Sequence, residues 1–405
     1  MENTEILVSG AGIAGPALAY WLRRSGLTVT VVERAPAPRP GGQTVDLRGA
    51  GRTVIERMGL MDQARAHSVD QRGLALVNAS GRATAQIPAD SFGGEGIVSE
   101  IEILRGDLAR LLYEATLPDT EYLFDDTVTG LAQDAEGVTV TFEKAAPRRF
   151  GLVIGADGPH SVVRGLSFGP EQEFVHPLGL YTAWFTATDD LDLDGWYLMH
   201  NAPGGLVASA RPGRLPGQIK AGFSFRSAPI EYDRRNVAAQ RELVARRFAG
   251  VGWEVPRLLR AMHTASDFFF DSMGQVRLDQ WSRGRVALLG DAGYCATPLT
   301  GLGTSLALVG AYVLAGELAT ADGDHRIAFA RYDAVMRPYV SQAQQLPPRG
   351  VAGYAPSGAL GIRLRDLSMR SMTRWPMRNL LAAQFAKAGA IALPEYGPAT
   401  AGAAR

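Results

Sequence analysis

The chain is short of cysteine, lysine and net charge, and each shortage excludes a class of protein. A single cysteine, Cys295, in 405 residues rules out an intramolecular disulfide and any Cys-x-x-Cys redox or zinc centre, so a reducing, cytoplasmic setting is expected. Lys144, Lys220 and Lys387 are the only lysines, and arginine carries nearly all the positive charge; a compositional bias of the source genome accounts for this better than anion binding does. Acidic and basic residues balance at 41 each, with no basic block, so neither nucleic acid nor an anionic membrane surface is an expected partner. The six histidines are scattered without metal-ligand spacing, and no Gly-x-Ser-x-Gly nucleophile elbow occurs. The longest apolar segment, Leu302 to Ala319, is interrupted by Gly310, Gly316 and Glu317 and reads as a core helix, with no membrane span expected. The N-terminal apolar run has no positive region ahead of it and carries a glycine motif, so it is a fold element and not a signal peptide. There are no internal repeats.

What the chain does have is concentrated in its first thirty-four residues. Glu5 to Ser9 reads as a buried strand, Pro16 to Arg24 as a helix with Leu18 and Leu22 on one face, and Thr28 to Val32 as a second strand. Between the first strand and the helix stands Gly10-Ala11-Gly12-Ile13-Ala14-Gly15. In such a βαβ unit the first glycine permits the tight turn, the second lets a pyrophosphate approach the backbone, and the third lets helix and strand pack closely. Glu33 ends the second strand, where a carboxylate reaches the hydroxyls of an adenosine ribose. The motif in this context predicts dinucleotide binding and does not separate FAD from NAD.

Further on, Gly41-Gly42 opens a strand through Val45-Asp46-Leu47 that leads to a helix from Gly51 to Met58. A hairpin over Arg72 to Pro88 breaks the βαβ rhythm. Ile101 to Leu104 is a short strand, and Arg105 begins a helix reaching Ala115. Strands return through Tyr122 to Leu131 and Gly137 to Glu143, and Leu152 to Gly155 runs into Ala156-Asp157-Gly158. From 172 to 276 the pattern is antiparallel strands (Gly179 to Ala187, Trp196 to His200, Gly205 to Ala210, Gln218 to Phe225) with helices near Asn236 to Phe248 and Val255 to Met262. Arg285 to Leu289 is a buried strand ending at Gly290-Asp291-Ala292. It is followed by Pro298-Leu299-Thr300-Gly301-Leu302-Gly303 and the core helix, whose start offers free N–H groups. A helix from Ile327 to Leu346 and an apolar tail helix from about Met377 to Leu393 complete the chain. The fold class is α/β: a Rossmann-type nucleotide-binding domain with a parallel sheet (1–71, 95–171 and 277–346), an inserted antiparallel-sheet substrate domain (72–94 and 172–276), and a C-terminal helical segment (347–405).

Three elements in this order, the glycine motif with Glu33-Arg34, Gly155-Ala156-Asp157-Gly158, and Gly290-Asp291 with Pro298 and Gly303, together with Arg105 before a leucine-rich helix, resemble the class A flavin-dependent aromatic monooxygenases of the para-hydroxybenzoate hydroxylase fold. The smaller tetracycline-inactivating monooxygenases look most similar, through Gly41-Gly42 with Val45-Asp46-Leu47 and the junction from Ile103 to Leu108. The resemblance implies non-covalent FAD lined by Gly10, Gly12, Ile13, Ala14, Gly15, Arg34 and Gly42. It implies that Glu33 holds the adenosine ribose, that Arg105 sits near the pyrophosphate, and that Asp291 binds the ribityl chain. Pro298, Gly301, Leu302, Gly303 and Thr304 would face the flavin, and Asp157 the edge shared with a passing nicotinamide. A helix start there favours the negative charge of reduced flavin. NADPH or NADH would be the transient reductant, O2 the co-substrate, and a hydroperoxyflavin the oxygen donor to an apolar aromatic or polycyclic small molecule, in secondary metabolism or antibiotic modification.

No side chain is assigned as catalytic; the backbone at Gly301, Leu302 and Gly303 is expected to support flavin-centred chemistry. Trp184, Met199, Phe223 and Phe225 are expected pocket walls, read from strand alternation. The alternative on the same scaffold is dehydrogenation or a redox-neutral cyclisation with structural FAD. Tyr294 stands where the family usually has His, and Thr304, Ser305 and Gly310 where an Asn and an Asp are frequent. The absence of a second strand-GxGxxG-helix unit argues against relatives with a separate NADPH domain, and the absence of Trp-x-Trp-x-Ile-Pro against a flavin halogenase.

Overall fold

The computed structural model describes residues 5–92, 99–117, 119–188, 191–321, 324–347, 349–371 and 389–397. Its architecture is the α/β arrangement expected from the sequence, organised on two large sheets. The first has six strands in the order Ser282–Arg283, Val286–Leu288, Leu152–Gly155, Glu5–Ser9, Thr28–Glu33, Glu121–Phe124. All neighbours are parallel except the first pair. Its central strands are buried on both faces, with Leu7, Val31, Val153 and Ile154 fully closed to solvent, as parallel strands covered by helices must be.

The second sheet has seven strands in the order Phe269–Val276, Val175–Thr188, Gln218–Arg226, Leu206–Pro212, Trp196–Ala202, Gly73–Val77, Ala83–Pro88. It is antiparallel except where Gly73–Val77 runs parallel to Trp196–Ala202. The helices Val237–Arg247 and Val255–Thr264 cover one face, through a core of Phe185, Phe223, Phe225, Val244, Phe248 and Leu258. The other face turns toward the nucleotide half of the molecule. A two-stranded ribbon of Thr44–Asp46 with Glu102–Leu104 stands between the two.

One expectation is corrected. The strand read over Tyr122 to Leu131 is two strands: Glu121–Phe124 joins the parallel sheet, and Val128–Gln133 joins a three-stranded ribbon. The break is at Asp125, whose φ of 58° lies in the left-handed region, and Asp126 holds it by accepting from the backbone N–H of Thr127, Lys144 and Ala145 at 2.8–3.0 Å. The expected tail helix falls mostly outside the described residues; a helix over Ala359–Ser371, not anticipated, packs on the edge hairpin instead.

The helix Gly303–Thr320 is apolar enough by composition to cross a membrane, but 78% of it is buried inside the fold. Its close approach to the parallel sheet explains the residues at 294 and 310. A Cβ on Gly310 would overlap the Tyr294 hydroxyl, which donates to Tyr332 at 2.8 Å while Tyr332 donates to the Leu288 carbonyl at 3.1 Å. Tyr294 therefore points into the core, its ring tilted 52° to that of Trp281 with centroids 4.7 Å apart. The larger residue at 294 and the missing side chain at 310 are one packing solution. Gly310→Ala is expected to cost about 1–3 kcal/mol by overpacking, and adding Tyr294→Phe should recover part of that loss; thermal unfolding of the two variants checks it.

Candidate active site

Two helix N-termini converge on the C-terminal edge of the parallel sheet. The helices Ala14–Arg24 and Gly303–Thr320 both begin without a capping side chain and without an acidic residue in the first turn. Unsatisfied N–H groups at such ends favour an anion. The glycine loop shows why the helix starts where it does. Gly10 has φ +106° and a Cβ there would lie 2.6 Å from the Ala156 carbonyl oxygen, while a Cβ on Gly15 would overlap the Gly10 carbonyl oxygen. Both glycines are demanded by packing.

Gly12 and Gly303 are different. Neither has a positive φ, and the nearest atoms to a Cβ on each are the tip of Arg105 at 3.3 Å and Asp291 Oδ1 at 3.9 Å. Packing leaves room at Gly303, and at Gly12 only the flexible tip of Arg105 would have to give, so the backbone of both faces space that other protein backbone does not fill. Arg105 and Asp291 lie between them. The Arg105 side chain makes no hydrogen bond or ion pair among the described residues, and burial draws its guanidinium below its ordinary pKa against the pull of Asp291. Burial pushes the Asp291 carboxyl up, opposed by the Cys295 thiol and by Arg105. Arg105 is nonetheless solvent-exposed and Asp291 partly so, as groups lining an internal cleft are.

The remaining expected cofactor residues are disposed around this cleft. Glu33 closes its strand and accepts from the amides of Ala11 and Ala35 at 2.9 Å each; Arg34 is exposed just beyond. Ile13 and Ala14 are buried at the helix start. The Gly41-Gly42 turn, at φ +72° and +82°, is latched to the start of helix Arg105–Glu114 by Gly106 N–H to Gly41 O at 2.8 Å and Arg105 N–H to Gln43 O at 2.7 Å. Pro298 is exposed, Leu302 buried and Thr304 half-buried. Thr297 holds φ 82°, a strained conformation for a β-branched residue, which turns the chain sharply into Pro298–Thr300 and the left-handed Gly301.

Asp157 is committed within the protein. It accepts from Ser161 Oγ at 2.5 Å and from the amides of Val162 and Val163 at 2.8 and 3.2 Å, so it holds the next helix start, and burial raises its pKa against those bonds. Arg164, fully buried, ties that segment to the Asp291 turn through the carbonyls of Ala292 and Pro159 at 2.9 and 2.6 Å.

The four expected pocket walls separate by parity. Trp184 covers Gly222, where a Cβ would overlap its ring, and Trp184 and Met199 share an apolar cluster with Leu299 of the Pro298–Thr300 turn and with Leu180, Met273 and Tyr354. Phe223 and Phe225 are placed on the opposite face, inside the core under the two helices, because they sit at odd positions of a strand whose even positions face the cleft. That cleft-facing row is largely polar: Thr182, Thr186, Ser209, Arg211, Lys220 and Ser224. Lys220, buried, donates to Thr186 Oγ1 at 2.6 Å and lies 3.7 Å from Asp267. Burial pulls its ammonium down in pKa, opposed by Asp267. A further tie between the halves, which sequence periodicity does not signal, is His160, whose ring meets Asp271 at 2.7 Å and Glu171 at 3.1 Å. No group of His, Cys, Asp and Glu suited to a metal occurs among the described residues.

Known proteins share this arrangement. Residues 3–343 match the FAD binding domain family. An uncharacterized protein of Mycobacterium tuberculosis is 47% identical over 355 residues, 87% of this chain and 94% of its own length. A flavin-dependent monooxygenase of Legionella longbeachae is 39% identical over 346 residues, 85% of this chain and 88% of that protein. The crystal structure of the tetracycline destructase Tet(55) superposes with a TM-score of 0.81 at 36% identity, over 97% of this chain and 99% of that one. With the family match running over residues 3–343 and the similarity to these relatives extending over most of its length, the chain belongs to the class A FAD-dependent monooxygenases, near the tetracycline destructase type.

Proposed function

We propose that the protein consumes NADPH or NADH and O2 to hydroxylate an aromatic or polycyclic small molecule held between Trp184 and the Pro298–Thr304 turn. The observation that carries this is the pair of bare-backbone helix starts, at Gly12 and Gly303, with unpartnered Arg105 and desolvated Asp291 between them. FAD, when bound, supplies the redox chemistry and the activation of O2. The tetracycline destructases among the similar structures support a polycyclic substrate, and the flat Trp184 ring supports a planar one.

The residues of this chain then have distinct tasks. Arg105 and the amides at Gly12 to Ala14 balance the pyrophosphate, Glu33 receives the ribose, and Asp291 orients the chain that joins it to the ring. The amides from Gly303 onward would offer the bound cofactor fixed positive dipoles that favour negative charge beside them. Leu299, Met199 and Met273 exclude water from the meeting point, and Trp184 orients the substrate plane, since placement within about 3 to 3.5 Å of the reacting atom is worth several orders of magnitude in rate. We assign residues 1–71, 95–171 and 277–346 to cofactor binding, 72–94 and 172–276 to the substrate, and 347–405 to a C-terminal helical segment that contributes Tyr354 to the apolar cluster.

Oxygen-18 from labelled O2 is expected in the product, checked by mass spectrometry; product without label overturns the monooxygenase reading. Arg105→Ala removes no bond within the protein, so the fold should persist while FAD weakens by about 1.5–3 kcal/mol, the worth of a charge-assisted hydrogen bond; flavin retained after gel filtration measures it. Gly303→Val places a side chain in the space left for the ring. It should lower product formed per NAD(P)H consumed by more than it lowers flavin content, with H2O2 making up the difference.

A further inference from the structure

The C-terminal segment supplies a short helix, Gly350–Tyr354, that packs against both the Pro298–Thr300 turn and the strand Val175–Thr188, and so stands beside the place assigned to the substrate. Asn201 donates from Nδ2 to the Tyr354 carbonyl at 2.9 Å, and Arg365 donates to Asn201 Oδ1 at 2.9 Å, which fixes the helix end on the seven-stranded sheet. The Tyr354 ring joins the apolar cluster of Trp184, Met199 and Leu299. Its hydroxyl ends a chain of three that packing does not require: Thr182 Oγ1 lies 3.0 Å from Ser224 Oγ, and Ser224 Oγ lies 3.2 Å from Tyr354 Oη.

Three hydroxyls carry three hydrogens and make two bonds between them, so one hydrogen is left over. The chain can run in either sense, and the surplus donor falls on Tyr354 or on Thr182. Thr182 and Ser224 are only 3% and 2% exposed, and neither hydroxyl has another partner among the described residues. A donor left bare inside the sheet costs the desolvation of that group, whereas an oxygen with an unused lone pair costs less. The chain therefore runs from Thr182 through Ser224 to Tyr354, and the free hydrogen stands on Tyr354, the half-buried member at the cleft end. Burial pushes the Tyr354 phenol up in pKa, so it keeps its proton, and the bond with Ser224 acts the opposite way, as a donor to the phenol oxygen does.

The charges around this hydroxyl are already matched. Arg211 donates to Glu102 at 2.7 Å and to Thr44 Oγ1, with its guanidinium 4.3 Å from the centre of the Tyr197 ring, and Arg365 is paired with Asp366 at 2.9 Å. What the cleft offers a ligand here is a neutral donor without spare positive charge. We propose that the Tyr354 hydroxyl reads a carbonyl oxygen of the substrate, which makes Tyr354 a specificity-determining residue and the substrate a neutral fused-ring ketone in preference to an aromatic acid. This rests on the hydroxylation reading above and names the substrate class of the same site. Trp184 and Leu299 hold the rings by apolar contact, and one hydrogen bond at a fixed point sets which way round they lie.

The test is binding to the holoenzyme of 9-fluorenone, a neutral fused-ring ketone, against fluorene, which has the same rings without the oxygen, and fluorene-9-carboxylate, which carries a charge. Calorimetry is expected to show fluorenone binding about 5-fold tighter than fluorene, with the carboxylate weaker than both. The infrared carbonyl band of bound fluorenone should lie below its position in an apolar solvent, as it does for a carbonyl that accepts a hydrogen bond. Tyr354→Phe should bring fluorenone to the affinity of fluorene and return the band to its apolar-solvent position, while fluorene affinity and flavin content stay as in wild type; lost packing alone would not give that pattern. Ser224→Ala should move the band part of the way, since the phenol is no longer held and polarised by its neighbour. A ketone bound no tighter than the hydrocarbon in wild type, binding of neither, a carboxylate bound most tightly, or a band unmoved by either substitution overturns the proposal. The two readings fail separately: labelled product from O2 without a ketone preference removes the Tyr354 assignment alone, and a ketone preference with unlabelled product removes the hydroxylation reading alone.

Discussion

Everything at the site depends on how closely two backbone segments cross at the end of the first strand. Gly15 rests on the carbonyl of Gly10, and Gly10 rests on Ala156, so the first helix begins directly at the sheet edge. The same device recurs across the sheet, where a Cβ on Gly290 would lie 3.3 Å from the Ala14 side chain and 3.7 Å from that of Ala307. Missing side chains thereby bring two uncapped helix starts to one edge, and the position of the cleft follows from that crossing.

The charges in the cleft come as opposed sets: Arg105 by Asp291, Lys220 by Asp267, and Asp46 and Glu102 by Arg48 and Arg211. This local balance matches the zero net charge of the chain and keeps each buried group from being left uncompensated. It also gives the substrate face a polar character that composition does not reveal, since the apolar members of the alternating strands went to the core beneath the two helices.

The parallel sheet, its helices and the glycine motifs were legible because period, punctuation and spacing are local properties of the chain. The same holds for the helix expected near Asn236 to Phe248, present as Val237–Arg247, where the Asn236 side chain accepts from the Ala239 amide at 3.0 Å. What could not be read was partnership. Nothing near Thr44 says that its strand pairs with Glu102–Leu104, so the meeting of Asp46 with Arg48, Glu102 and Arg211 had no signature. Parity was equally hidden, because Trp184 and Phe223 lie on strands of similar composition and only the register, Trp184 opposite Gly222, decides which faces the cleft. Asp157 shows the reverse case, a motif residue whose oxygens serve a helix start.

The parallel pairing of Gly73–Val77 with Trp196–Ala202 has a consequence for how the molecule is made. Neither large sheet is assembled from consecutive segments: the substrate sheet waits for strands far downstream of its first hairpin, and the parallel sheet is completed only by Val286–Leu288. Closing such long loops precedes the contacts that reward them, which slows folding. During synthesis the early hairpin must therefore persist without its partner, its apolar edge uncovered, until most of the chain has left the ribosome. Its exposure to chaperones and to aggregation is set by topology rather than by the stability of the finished fold.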